Sequence, residues 1–187
     1  RRVLFRSIPE VARFRMNVFY EQDRLCIVAR RIPLGIKTFD ELGLPPVIKD
    51  IAEEERGLVL VTGTTGSGKS TTLAAMIDHL NRSKRARIIT VEDPVEFVHE
   101  SNKSLIAQRE IGRDTPSFAE SLRRALRQDP DVILVGEMRD AETMRIALQA
   151  ADTGHLVFST VHTTNASFTM QRIVAMFPSD EIGRAHV

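Results

Sequence analysis

The sequence holds a single cysteine, Cys26, which rules out a disulfide or a cysteine zinc cluster built within this chain. The residue reads either as a small packed side chain or as a reactive thiol. No apolar run approaches the roughly 20 residues needed to cross a bilayer, and no charged start, apolar stretch and small-residue cleavage site mark a secretory signal. The expected compartment is therefore the cytosol. Internal repeats and low-complexity segments are also missing. Charge of one sign is lacking too, since 26 basic residues face 25 acidic ones. What the chain does have is 42% hydrophobic content over 187 residues, enough for one core of ordinary domain size and a fragment of a second.

The two ends do not read as evolved protein. The codons AGA CGT GTG CTC TTC CGA TCT give residues 1–7 (RRVLFRS), and the reverse complement of most of that string, in another frame, begins residues 182–187 (IGRAHV). A sequencing adapter translated at both ends would produce this relation; the alternative is a basic leader and an unstructured tail. On the adapter reading both segments stand outside the fold and the native protein is expected to continue past each. Removing Arg1, Arg2, Arg6 and Arg184 leaves 22 basic residues against 25 acidic ones, a net charge of −3, so overall charge offers no case for nucleic acid.

Between residues 13 and 32, the runs FRMNVFY and LCIVARRI around a polar break at 21–24 read as a β-hairpin without partners. Such a unit is marginal alone, which makes it the end of a preceding domain, residues 8–36. Residues 37–46 close a Pro- and Gly-punctuated linker, PLGIKTFDELGLPP, with a short helical turn. A second domain, residues 47–181, alternates strand-like runs with helical patterns. LVLVTG (58–63) precedes a helix with Leu73, Ile77 and Leu80 on one face. RIITVED (87–93), a helix at 117–128, DVILVGE (131–137), a helix at 141–151 and HLVFSTVH (155–162) follow. Four apolar runs without polar alternation imply strands covered on both faces, hence an α/β fold with a mostly parallel sheet.

Gly63-Thr64-Thr65-Gly66-Ser67-Gly68-Lys69-Ser70 matches G-x-x-x-x-G-K-[ST] between a strand and a helix, the context that motif requires. Glycines let successive backbone N–H groups converge on phosphate oxygens, while the helix presents its positive end. Lys69 should reach the β- and γ-phosphates of ATP and the Ser70 hydroxyl should ligate Mg2+. Hydrolysis also needs a carboxylate to organise the attacking water. Glu137 closes one strand, and Glu92 and Asp93 close another; strand C-terminal ends gather where the phosphate loop lies. For each the alternative is an ordinary strand-end acid, and for Asp93 a capping role. His155 and His162 flank LVFSTV and are expected at that same sheet edge, as γ-phosphate sensors or carboxylate bridges, against the alternative of ordinary surface or core histidines. No ligand spacing accompanies them for metal.

VTGTTGSGKSTTLAAM, ITVEDPVEFVHE, QDPDVILVGEMRD and TGHLVFSTVHTTNA together closely resemble the secretion and pilus ATPases, over roughly residues 13–180. The resemblance implies a P-loop, RecA-like core preceded by the remnant of a PAS-like domain. It makes 63–71, ending at Thr71, the Walker A box, 90–97 the aspartate box, 131–137 the Walker B box and 154–162 the histidine box, with Glu137 the catalytic glutamate. It also matches Arg15 and Arg30 to arginines that help complete the ATP site, although a solvated or ion-paired role stays open. A homohexamer, at the cytoplasmic face of the inner membrane beside a pilus platform protein and peripheral to the membrane at most, is implied. Met138-Arg139-Asp140, FVHESNKSLIAQREIGRD and RIVAMFPSDE look like the retraction branch of twitching motility. An assembly or secretion motor of the same family remains the alternative. A nucleic-acid translocating ATPase is the rival from another class, with Arg123, Arg124 and Arg127 as its candidate footprint; the favoured alternative for these is the solvated side of a helix or a subunit contact. A nucleotide-binding regulator that never hydrolyses is a third.

Overall fold

The computed structural model describes residues 2–8, 11–32 and 34–178, and it divides at Ile36/Lys37 into two units. In the first unit, β1 (Arg2–Ile8), β2 (Ala12–Glu21) and β3 (Arg24–Ile32) form an antiparallel sheet in that order. The expected hairpin is β2 and β3, turning through Gln22 and Asp23, both at positive φ. It is not without a partner, since β1 runs antiparallel beside β2, with Arg2 opposite Val18 and Ile8 opposite Ala12. An open strand edge offers a row of free N–H and C=O groups, and an extended segment rich in Val, Leu, Phe and Ile pairs with it whatever its origin. Residues 182–187 lie outside the described residues.

The second unit carries α1 (Val47–Ala52), β4 (Gly57–Thr62), α2 (Lys69–Ser83), β5 (Arg87–Glu92), β6 (Leu105–Glu110), α3 (Phe118–Ala125), β7 (Val132–Val135), α4 (Ala141–Asp152), β8 (Leu156–Val161) and α5 (Ala166–Met176). The five strands form one parallel sheet in the order β4-β8-β7-β5-β6. Both faces are covered, which explains the uninterrupted apolar runs. On one face Leu73, Met76, Ile77 and Leu80 of α2 pack on Ile88, Val132, Leu134, Leu156 and Phe158. On the other, Ala119 and Leu122 of α3 and Met144, Ala147 and Ala150 of α4 pack on Ile133, Val135 and Val157. Neighbouring residues of β7 and β8 thus serve opposite cores, as the twofold repeat of a strand dictates.

Three elements add to the sequence expectation. β6 forms a fifth strand at the edge, α5 follows β8, and α1 begins where the linker ends. Conversely, α3 stops at Ala125, three residues before the expected end. Because every strand runs the same way, the segments after Thr62, Glu92, Val135 and Val161 emerge at one edge, where ligands of open parallel sheets bind.

Candidate active site

Residues 63–68 connect β4 to α2 and shape a cradle. Gly68 caps α2 at φ 96° and Gly63 sits at φ 146°, backbone conformations that residues with a side chain rarely adopt, so glycine relieves strain at both places. Ser117, Asp140 and Asn165 each accept a first-turn amide of α3, α4 and α5 with their side chains. α2 has no such cap and no acid in its first turn, so its leading N–H groups keep their positive field for an anion. Lys69 is buried over the loop, its Nζ donating to the carbonyls of Gly63 at 3.0 Å and Thr64 at 2.8 Å. Thr64, Thr65, Gly66, Ser67 and Ser70 are exposed and Thr71 is half-buried. An uncapped helix start, a tight glycine turn and a central ammonium fit a nucleotide polyphosphate.

Ser70 shares a cavity of about 40 Å³ with Glu92, Phe97, His99, Gly136 and Thr160. A hydroxyl and a carboxylate lining one cavity fit Mg2+ carried in by phosphate; among the described residues no cluster of three or more His, Cys, Asp or Glu could hold a metal by protein side chains alone. Glu92 Oε1 accepts from Thr90 Oγ1 at 2.7 Å and Gln108 Nε2 at 3.2 Å. Burial raises the Glu92 pKa, and these donors oppose it only in part.

The Walker B end lies against this cavity. Gly136 N donates to Val91 O at 2.8 Å, and a Cβ on Gly136 would sit 3.3 Å from Glu92 Cα. A generic magnesium-binding strand carries an aspartate at this position, and a side chain here would crowd the β5 backbone. Thr160 Oγ1 donates to Gly136 O at 2.7 Å, Met138 N to Thr160 O at 3.1 Å, and Ser159 Oγ to Val135 O at 2.7 Å. These bonds fix Glu137, which is largely buried, beside Arg139 and His162. Arg139 Nη2 forms an ion pair with its Oε1, and His162 Nε2 lies 3.7 Å from its Oε2. The hydrogen bond from Arg139 to Glu137 raises the arginine's pKa further, so the guanidinium stays charged.

The structure brings Lys69, Ser70, Glu92, Glu137 and His162 to one edge. It does not bring His155 there. That histidine precedes β8, and its carbonyl accepts from Gly57 N at 3.0 Å, at the start of β4. Six residues of strand, about 20 Å at 3.3 Å each, separate it from His162. Its Nδ1 lies 2.9 Å from Ala150 O and closes the end of α4 instead. Asp93, one residue past Glu92, lines a different cleft, of about 280 Å³, with Ser117, Arg139 and Asp140. Arg15 and Arg30 stand directly opposite each other on β2 and β3 in the first unit. Arg123 pairs with Glu142 and Arg124 with Glu120, which engages two of the three arginines of the nucleic-acid footprint within the protein. Arg139, Gln108 and Thr160 escaped the site reading of the sequence; Arg139 alone had a signal, its place two residues after Glu137.

The fold and this constellation define a P-loop nucleotide-binding domain of the ATPase type. A family profile described as "Type II/IV secretion system protein" matches residues 13–182, and the chain belongs to that family. It is 59% identical over 175 residues, 94% of this chain and 51% of the relative, to the type IV pilus retraction ATPase PilT of Pseudomonas aeruginosa. A twitching motility protein of Neisseria gonorrhoeae is 58% identical, over 94% of this chain and 47% of the relative. The crystal structure of the pilus retraction motor PilT with bound ADP superposes with a TM-score of 0.91 at 52% identity, covering 95% of this chain and 52% of that one. The chain thus spans about half the length of the curated relatives it matches.

Proposed function

We propose that this chain is the catalytic core of an ATP-hydrolysing motor subunit that works as a homohexamer and powers type IV pilus retraction. The observation that carries the reading is the convergence of Lys69, Glu92, Glu137 and His162 on the C-terminal edge of one parallel sheet. Lys69 and the first amides of α2 bind the phosphates, and the Ser70 hydroxyl takes a coordination position on Mg2+, which neutralises phosphate charge when bound. Glu137 orients the attacking water and accepts its proton, with Arg139 and His162 holding the carboxylate in place. His162, half exposed, is placed to meet the γ-phosphate. Similarity to retraction proteins along 94% of the chain supports this branch over an assembly or secretion role.

In this reading residues 8–36 end a PAS-like domain, 37–46 are the linker and 47–181 the RecA-like ATPase domain. Two arginines directly opposite on adjacent strands repel each other. An anion relieves that repulsion, which supports Arg15 and Arg30 as contributors to a shared ATP site. The motor works in the cytoplasm against a pilus platform protein of the inner membrane, and the fragment alone turns over poorly. The test is twofold. Purified full-length protein should hydrolyse ATP with Mg2+; absence of turnover sinks the enzyme reading. Cells lacking the gene should assemble pili without twitching; loss of the pili themselves would assign the assembly role.

A further inference from the structure

Gln108 lies on β6 directly across from Thr90 on β5, so Thr90, Glu92 and Gln108 share the sheet face under α2. Its amide is fully engaged. Nε2 donates to Glu92 Oε1 at 3.2 Å and to Phe97 O at 2.9 Å, while Oε1 accepts His99 N at 2.8 Å. The flipped amide would set oxygen against a carboxylate and a carbonyl, so the partners select one orientation. Phe97 and His99, held by this amide, line the same cavity as Ser70 and Glu92. Glu92 therefore cannot rotate without losing its bond to the same amide that holds Phe97 and His99.

We propose that Gln108 is a positioning residue for Glu92, holding the carboxylate toward Ser70 and locking that orientation to the 97–99 turn. This rests on the ATPase reading above. Thr90 donates to the same oxygen, but from two residues away on the same strand, and the Glu96 backbone also reaches the carboxylate; the Gln108 side chain ties it both to β6 and to Phe97 and His99. A group that acts through another should alter turnover without altering nucleotide binding.

The test uses full-length protein, Gln108→Met to remove the amide at nearly constant volume and Gln108→Glu to keep an acceptor for His99 N. Gln108→Met should lower kcat about tenfold, with KM and the Kd for ADP within about twofold of wild type. In a Glu92→Gln background, read by single-turnover hydrolysis, Gln108→Met should cause no further loss. Gln108→Glu should fold and lose kcat at least as strongly, since it sets two carboxylates together. Unchanged kcat in both variants, parallel loss of ADP binding, or the same tenfold loss in the Glu92→Gln background would overturn the assignment. A wild-type protein without turnover overturns the ATPase reading itself, and this inference with it.

Discussion

His162 Nε2 and Glu137 Oε2 stand 3.7 Å apart although they come from different strand ends, β8 and β7. Their proximity follows from the hydrogen bonds that tie Thr160 to Gly136 and Met138 to Thr160. Glu137→Gln should reduce ATP turnover by about a hundredfold or more while leaving the Kd for ATP within a few-fold. Steady-state turnover and equilibrium binding measured side by side give the answer. Hydrolysis surviving at near wild-type rate would remove Glu137 from the chemistry.

Lys69 serves binding as well as turnover. Lys69→Ala should weaken ATP and ADP affinity by about tenfold or more, the worth of a lost charge-assisted bond, and depress kcat as well. Titration with a fluorescent nucleotide analogue reads the first effect. Affinity equal to wild type would mean that the ammonium never leaves its loop carbonyls.

The two histidines flanking β8 should part company. His162→Ala is expected to lower kcat by about tenfold or more, since the residue touches Glu137. His155→Ala should leave turnover unchanged and cost about 1 kcal/mol of stability through the lost contact with Ala150 O. A turnover loss in His155→Ala as large as in His162→Ala would restore the sequence-based pairing of the two.

Gly136→Ala tests the tight crossing of β5 and β7. The added methyl lies 3.3 Å from Glu92 Cα and from Val91 O, both backbone, so the strands must separate. About 1 to 3 kcal/mol of destabilisation is expected, seen as a thermal midpoint lower by several degrees. An unchanged midpoint would show that the strand ends yield freely.

Acid should weaken the fold through His99. Its burial pushes the imidazole pKa down to about 4, with Asp78 pulling weakly the other way. A histidine depressed below its unfolded value of about 6.5 supports folding while neutral, so its contribution is complete above pH 6.5 and lost as pH falls toward 4, roughly 3 kcal/mol in all. Glu92, raised by burial, titrates with the opposite sign, since acid relieves its penalty. The urea midpoint of wild type should therefore drop more between pH 7 and pH 4.5 than that of His99→Phe. Equal drops would remove His99 from the acid response.

How much of this was legible in the sequence depends on how local the signal is. The β4, β5, β7 and β8 runs are readable because burial on both faces leaves them unbrokenly apolar. β6 is not, because its second half, Gln108-Arg109-Glu110, is polar and its pairing depends on register with β5. The phosphate loop and Glu137 are fixed by contiguous residues and their place after a strand. Gln108 becomes visible only when Thr90 is set opposite it, a relation 18 positions apart in the chain. His155 was misplaced for a related reason: two histidines close in sequence sit at opposite ends of one strand, and sequence proximity hides the distance. Gly136 reads as a departure from the usual aspartate, and the backbone of Glu92 supplies the reason.

The Gly63 and Thr64 carbonyls that hold Lys69 have a thermodynamic side. They are an internal competitor for the one cation that incoming phosphates require, and each nucleotide must displace them before it gains that contact. Observed affinity is then lower than the intrinsic affinity of the opened loop, by the fraction of molecules in which the ammonium has already let go. Nucleotide release runs the same exchange backwards: the carbonyls recapture the ammonium as the phosphates depart, so the loop returns to a closed, self-satisfied state.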